Sequence, residues 1–260
     1  MPRTNLILAT TTSAQDSGLL GSLLPAFRNK TGLVVEVQAV GSGMAFDKAR
    51  QGQADVLLTH DPLTERELLD QGIITEYKLI MHNDFIIVGP PDDPAGIRGE
   101  DKASAALRRI AERNALWVSR GDWSGTHTRE MRLWKDAAAK PSNVTETKRG
   151  MAETLAIASG KKGYCLTDRA TYLAGKQDLA LDVMVEKDEP LLNLYHVSMV
   201  NPARFPEVNA DGARRLIDFF LSGEAQGIIA GFMRDRFPTP LFYADAGKTE
   251  EDVARERLQI

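Results

Sequence analysis

Apolar residues along the chain follow two alternating patterns. Short runs of consecutive apolar residues, as in the valine-rich segment 33–40, are typical of buried strands. Longer segments place apolar residues at a helical spacing, and in segment 18–31 they include Leu19, Leu23 and Phe27. Because the two patterns alternate along the chain, the sequence predicts an α/β fold with largely parallel sheets.

The same patterns predict individual elements. Strands are predicted at 6–9, 33–40, 54–59, 85–88, 116–119, 163–167, 182–185 and 191–200. Helices are predicted at 18–31, 43–51, 64–71, 101–113, 124–139, 151–159, 169–173, 210–221 and 224–232. The charged segment 248–259 is predicted either as a surface helix or as a frayed tail.

The segment Gly89–Pro94 contains three prolines and interrupts the chain directly after a predicted strand. We place the first passage between two lobes there, and the strand 191–200 is expected to return to the first lobe. The sequence therefore predicts lobe 1 from residues 1–88 plus 191–260 and lobe 2 from residues 89–190. Two crossovers would form a hinge, with a cleft between the lobes.

Composition excludes several classes of protein. The 260 residues carry 32 basic and 36 acidic side chains without a basic cluster, which argues against a nucleic-acid partner. No apolar stretch reaches the roughly 18–20 residues of a membrane span. A single cysteine, Cys165, permits no intrachain disulfide and argues against a cysteine-based metal site. The sequence contains neither a nucleophile elbow nor a Walker loop, so we expect no enzyme, no cofactor and no metal.

Four consecutive hydroxyl residues, Thr10 to Ser13, follow the first predicted strand, and Asp16-Ser17-Gly18 then leads into a helix. Ligands of α/β proteins bind at the carboxyl ends of parallel strands. Exposed amides and the helix dipole at a helix start favour an anion. Helix capping needs only one or two hydroxyls, so we predict that the others bind a ligand.

A second candidate, Gly41-Ser42-Gly43, follows the second predicted strand. Glycines allow backbone amides to approach a ligand closely, and Ser42 adds a hydroxyl donor. A plain turn would explain these residues equally well. They are a candidate because of their position, in the loop after the strand next to the first candidate.

The strongest candidate lies in the segment 119–127, between a predicted strand and a predicted helix. Ser124, Gly125 and Thr126 form a helix start with two hydroxyls and free amides, and Arg120 supplies a permanent cation with a planar fork of donors. Together they suit a tetrahedral oxyanion. The alternative is a capped helix with an Arg120–Asp122 surface pair. We expect Asp122 to orient Arg120 and not to face the ligand.

Two further loops stay open. The loop 167–172, with Asp168 and Arg169, is predicted either to complete the site or to belong to the hinge. His60, in the loop 59–62, is expected to tune the site or to cap a helix. We do not expect it to bind a metal, because no second histidine or cysteine lies at metal-ligand spacing.

At these residues the sequence resembles the tungstate-specific substrate-binding proteins of ABC transporters. The likeness extends over nearly the whole chain in one register. The matching segments are Ala9–Ser13, Asp16–Leu20, Gly41–Gly43, Ser119–Asp122, Ser124–His127 with Glu130, Tyr164 and Leu166–Tyr172.

The resemblance implies a two-lobed type II periplasmic binding protein fold that binds tungstate, with molybdate as a competitor, and delivers it to a membrane permease. It implies a protein outside the cytoplasm whose signal peptide has been removed; we expect a monomer. Carried over by position, the oxyanion-binding residues are Thr11, Thr12, Ser13, Ser42, Arg120, Ser124, Gly125 and Thr126.

Two other functions stay open. Phosphate-binding proteins share a similar pattern of arginine followed by Ser-Gly-Thr, but phosphate carries a proton and needs a carboxylate acceptor. Asp122 or Asp168 facing the ligand would therefore favour phosphate. A ligand-sensing domain of a regulator would use the same two-lobed fold.

Overall fold

The computed structural model describes residues 5–11, 14–15, 17–237 and 239–258. The chain divides into two compact units. Unit 1 contains the chain up to His82 together with Leu194–Val253, and unit 2 contains Asn83–Asn193 together with the chain from Ala254. The first two passages between the units lie inside strands and not in the proline-containing segment after residue 88, and the third lies inside the last helix.

Strands and helices alternate along most of the chain. The strands are β1 (Leu6–Thr11), β2 (Val35–Val40), β3 (Val56–Thr59), β4 (Ile74–Gly89), β5 (Trp117–Ser119), β6 (Val144–Glu146), β7 (Cys165–Asp168), β8 (Asp182–Val185), β9 (Leu192–Val200) and β10 (Tyr243–Ala244). The α-helices are α1 (Leu19–Thr31), α2 (Ser42–Arg50), α3 (Pro62–Asp70), α4 (Ala103–Glu112), α5 (Gly125–Asp136), α6 (Met151–Lys161), α7 (Arg169–Gly175), α8 (Ala210–Leu221), α9 (Gly223–Gly231) and α10 (Glu250–Leu258).

Unit 1 contains a sheet in the order β10-β4-β9-β3-β1-β2. β1 is parallel to β2, with Thr11 opposite Val40, and also parallel to β3. All residues of β1 are buried, as expected for a central parallel strand covered on both faces. Because parallel strands point the same way, the loops that follow β1, β2 and β3 leave the sheet at one edge.

Unit 2 is organised around the second half of β4. This half pairs antiparallel with β7, where Phe85 lies opposite Asp168, and with β8. β5 runs parallel to β6, and Trp117 bridges Tyr164 just before β7. Both aromatic residues belong to a buried cluster that also contains Phe85 and Trp134. The rings of Trp117 and Trp134 pack edge to face, an arrangement that aromatic pairs favour.

The predicted α/β class is confirmed, and within the segment 248–259 the residues Glu250–Leu258 form the helix α10. The expectation of largely parallel sheets needs correction, because β4 is antiparallel to β7, β8 and β10, and β9 is antiparallel to β3. β4 begins at Ile74 and not at residue 85. The prediction missed its first half because polar residues interrupt the apolar pattern there. Among the described residues, no helix has the length and apolar character needed to cross a membrane.

Candidate functional site

In unit 1, the hydroxyl residues at the end of β1 divide into two roles. The hydroxyl of Thr10 donates to the carbonyl oxygen of Leu58 at 2.8 Å, so it stabilises the sheet. Thr11, the last residue of β1, is buried, and its Oγ1 accepts a hydrogen bond from the amide of Ala14 at 3.3 Å. Thr12 and Ser13 lie outside the described residues.

Ser42 begins α2 two residues after Val40, the residue opposite Thr11. The helix is preceded by Gly41 in an extended conformation, which has no side chain with which to cap the helix. The first amides of a helix have no acceptor within the helix itself. The structure thus brings Thr11 and the start of α2 to the same edge of the sheet in unit 1.

His60 reaches the same edge from the loop between β3 and α3. It is buried, and its Nε2 lies 3.2 Å from Oγ1 of Thr11. The loop is held by Glu65, whose Oε1 accepts from the hydroxyl of Thr59 at 2.6 Å and from the amide of Asp61 at 2.9 Å. Local sequence predicts a tuning or capping role for His60, but its contact with Thr11 depends on strand pairing and cannot be read from local spacing.

In unit 2, Arg120 lies in the loop between β5 and α5. Its Nε and Nη2 both donate to Oδ2 of Asp122, at 3.1 and 2.6 Å, and Oδ1 of Asp122 accepts from the amide of Ser124 at 3.1 Å. Burial opposes ionisation of Asp122, but hydrogen bonds from Ser124 and the charge of Arg120 outweigh it and lower the pKa of this carboxyl. As predicted, Asp122 orients the guanidinium.

Ser124 is the N-cap of α5, and its Oγ accepts from the amide of His127 at 3.3 Å. Gly125 and Thr126 are therefore the first two helical residues, whose amides have no acceptor within a helix. Such amides, together with the positive end of the helix dipole, form a binding site for an anion. The structure brings Arg120, Ser124, Gly125 and Thr126 together in one loop and helix start.

Trp123 occupies this loop in a left-handed backbone conformation, with φ of 60°. Its amide donates to Nδ1 of His127 at 3.0 Å, and its side chain is 75% exposed. A non-glycine residue in this region is uncommon and strained, a feature that occurs frequently at functional sites.

Glu130 is part of the sequence resemblance, but its role as the support beneath this loop was not predicted. Glu130 is buried in α5 and accepts hydrogen bonds from the indole nitrogen of Trp117 and from the hydroxyl of Ser119. Burial is the largest cause that raises the pKa of Glu130, to about 7. An available signal was its spacing, because Glu130 falls on the buried stripe of α5 with Thr126 and Leu133.

The loop after β7 has a structural role in unit 2. Asp168 caps α7, and its carboxylate accepts from the amide and the hydroxyl of Thr171. Burial raises the pKa of Asp168, against hydrogen bonds from Thr171 and the charge of Arg120, so Arg120 lies within electrostatic range. Arg169 donates to the carboxylates of Asp84 and Glu186.

The described part of the chain contains no group of three or more His, Cys, Asp or Glu side chains arranged to hold a metal ion. The donors at the loops described above are of other types. They are hydroxyls, backbone amides and one guanidinium, each of which can donate hydrogen bonds to an anion.

Comparisons with known proteins find a matching family model and several tungstate-binding relatives. The model of the PBP superfamily domain matches residues 2–224. The tungstate-binding protein TupA of Peptoclostridium acidaminophilum is 42% identical over 248 residues, which cover 94% of this chain and 87% of that protein. The structure of the tungstate-binding protein TupA from Desulfovibrio alaskensis G20 matches with a TM-score of 0.83 and 38% identity, covering 95% of this chain and 100% of that chain. The structure of the tungstate ABC transporter from Geobacter sulfurreducens matches with a TM-score of 0.75 and 40% identity. The match covers 89% of this chain and 100% of that chain.

Proposed function

The chain belongs to the PBP superfamily and, within it, to the family of the tungstate-binding TupA proteins, and from this membership we propose that it binds tungstate as the substrate-binding component of an ABC importer. Molybdate is the expected competitor. Substrate-binding proteins of ABC transporters act outside the cytoplasm, and this one would deliver its anion, as a monomer, to a membrane permease.

The observation that carries this proposal is that the guanidinium of Arg120 and the start of helix α5 lie in the same loop. Arg120 is fixed by Asp122, and the amides of Gly125 and Thr126 follow the N-cap Ser124. Charge-assisted hydrogen bonds from a guanidinium and from helix amides suit an anion with several equivalent oxygens. Since tungstate is fully deprotonated at neutral pH, it accepts hydrogen bonds and needs only donors.

The carboxylates near Arg120 argue against phosphate as the preferred ligand. Phosphate keeps a proton at neutral pH and needs an acceptor for it. Oδ2 of Asp122 already accepts two hydrogen bonds from Arg120, and Oδ1 accepts one from Ser124. The carboxylate of Asp168 accepts from Thr171 through both of its oxygens. Each carboxylate is therefore engaged in hydrogen bonds within its own loop, which favours a ligand that brings no proton of its own.

We propose as the anion's partners the same eight residues that the sequence predicts. They supply hydroxyls, helix amides and one guanidinium. The set consists of Thr11, Thr12, Ser13, Ser42, Arg120, Ser124, Gly125 and Thr126.

The test is isothermal titration of the protein with tungstate, molybdate, sulfate and phosphate at neutral pH, repeated with Arg120→Ala. Tungstate should bind tightly to the unaltered protein, and Arg120→Ala should lose about 2–5 kcal/mol of binding, because a charged partner is removed. Arg98→Ala is the matched control, since Arg98 forms an exposed ion pair with Asp182 in the same unit. Tight tungstate binding by Arg120→Ala would refute the assigned site, and phosphate binding alone would replace the proposed substrate.

A further inference from the structure

The hydrogen bond between the amide of Trp123 and Nδ1 of His127 fixes the tautomer of the histidine ring. The two nitrogens lie 3.0 Å apart. A backbone amide can only donate, so Nδ1 must be the acceptor. A ring nitrogen that accepts carries no proton, and the neutral ring of His127 therefore holds its proton on Nε2.

His127 also holds the unusual backbone of Trp123. With φ of 60°, Trp123 adopts the left-handed conformation, which a bulky residue keeps only where surrounding contacts stabilise it. His127 supplies two such contacts. One is the bond to the Trp123 amide, and the other is edge-on packing of the two rings, whose centroids lie 5.6 Å apart. His127 thus stabilises the turn directly before the N-cap of α5.

Both neighbours of Trp123 are connected to the proposed anion donors. On one side, Oδ2 of Asp122 accepts from Arg120 at 2.6 Å. On the other side, Ser124 donates its amide to Oδ1 of Asp122 and accepts from the amide of His127. A displacement of Trp123 would therefore disturb both the residue that orients Arg120 and the residue that begins α5.

The position of His127 in the helix is the one at which a capping box has glutamate or glutamine. That residue lies three positions after the N-cap, and its side chain accepts from a backbone amide at the helix start. His127 lies three positions after Ser124 and accepts from the amide of the residue before the N-cap. A neutral imidazole does this without a charge, whereas a carboxylate there would repel an anion bound at the first turn of α5.

We propose that His127 is a positioning residue for the anion, an uncharged acceptor that holds the turn at Trp123 and so keeps Arg120 aligned with the start of α5. The inference rests on the proposed oxyanion-binding function, in which Arg120 and the first amides of α5 donate to the anion. A substitution that keeps an uncharged acceptor should preserve anion binding. One that removes the acceptor or gives it a negative charge should weaken it.

The tautomer of His127 is measured in the unaltered protein, so this part of the test does not depend on any variant folding. Histidine ring nitrogens with and without a proton differ in their ¹⁵N chemical shifts. At mildly alkaline pH, Nε2 of His127 should carry the proton and Nδ1 should carry none. A protonated Nδ1 would overturn the proposal, because it could not accept from the amide of Trp123.

The effect on binding is measured by titrating tungstate into three variants. His127→Gln keeps an uncharged acceptor and should keep most of the affinity. His127→Leu removes the acceptor and should lose about tenfold. His127→Glu keeps an acceptor but adds a negative charge, so its affinity should fall about tenfold or more, and by less at high salt, which screens the repulsion.

The comparison of His127→Glu with His127→Gln separates positioning from simple support of the fold. If the residue only capped the helix, both variants would bind tungstate equally well, and that result would overturn the proposal. Equal losses in His127→Gln and His127→Leu would also overturn it. Gln177→Glu is the matched control, since it adds the same charge at an exposed position of unit 2 and should leave the affinity unchanged. Absence of tungstate binding to the unaltered protein would instead refute the proposed function itself.

Discussion

The indole nitrogen of Trp117 donates a hydrogen bond to Oε1 of Glu130 over 2.9 Å, and the hydroxyl of Ser119 donates to Oε2 over 3.0 Å. Both donors belong to β5, while Glu130 belongs to α5. Oγ of Ser119 also accepts from the amide of Gly121 at 3.2 Å, at the start of the loop that carries Arg120. Glu130 thus ties together the strand, the loop and the helix that supply the proposed anion donors of unit 2.

Replacing Glu130 with glutamine should change how stability depends on pH. Burial raises the pKa of Glu130 in the folded protein to about 7, from a usual value of 4.5. Between these two values the folded state holds a proton that the unfolded state has lost, so this residue makes stability fall as the pH rises from 4.5 to 7. Above 7 its contribution is constant. Glu130→Gln should lack this decline.

The measurement is urea unfolding of Glu130→Gln and the unaltered protein at pH 5, 6, 7 and 8. Relative to the unaltered protein, the variant should gain about 1–3 kcal/mol in free energy of unfolding between pH 5 and pH 7. Glu112→Gln, which removes an exposed carboxylate from α4, is the control. A difference that does not vary with pH would contradict a buried, proton-retaining Glu130.

The histidine of β9 should titrate above its usual range. Nδ1 of His196 lies 3.0 Å from Oε2 of Glu65, and its Nε2 lies 3.4 Å from Oε1 of Glu250. Burial would lower the pKa of His196, but the hydrogen bonds and charges of Glu250 and Glu65 outweigh it and raise that pKa above 6.5. This contribution to stability is complete below the unfolded value and is lost as the pH rises through the folded pKa.

An NMR titration of the His196 imidazole tests this arrangement. Glu250→Gln removes one of the two carboxylates, so the pKa of His196 should be lower in this variant than in the unaltered protein. Glu251→Gln, a substitution of the exposed neighbouring residue in α10, should change it far less. Equal titration midpoints in Glu250→Gln and the unaltered protein would show that Glu250 does not hold the protonated ring.

The sequence predicted the features that depend on local patterns. The strand that ends at Thr11 and the capped helix start at Ser124 could both be located, because apolar periodicity and capping residues are local signals. The ion pair of Arg120 with Asp122 was predictable for the same reason, since the two residues are neighbours in one loop.

The remaining features depend on residues that are distant in sequence. His60 meets Thr11 only because β3 pairs with β1, and Trp117 meets Glu130 only because α5 packs beside β5. The first half of β4 was missed because polar residues such as Lys78 interrupt it. The two contacts depend on how distant elements pack together, and the start of β4 was hidden by its local polar residues.

Gly121 should tolerate no side chain. It adopts φ of 62°, and a Cβ atom there would lie 2.9 Å from Cβ of Glu146. Gly121→Ala combines the cost of a left-handed alanine, about 1–2 kcal/mol, with a steric clash that displaces the loop carrying Arg120. We expect a loss of more than about 2 kcal/mol in the free energy of unfolding together with weaker tungstate binding.

The matched control for this prediction is Gly99→Ala. Gly99 lies in unit 2 with φ of 75°, but no atom lies within 4 Å of a Cβ placed there. It therefore incurs the backbone strain without the clash, and its variant should lose about 1–2 kcal/mol of stability and no tungstate affinity. Urea unfolding and anion titration of both variants separate the two effects. If Gly99→Ala weakened anion binding as much as Gly121→Ala did, the loss would come from general destabilisation, and the loop between β5 and α5 would not be the site of binding.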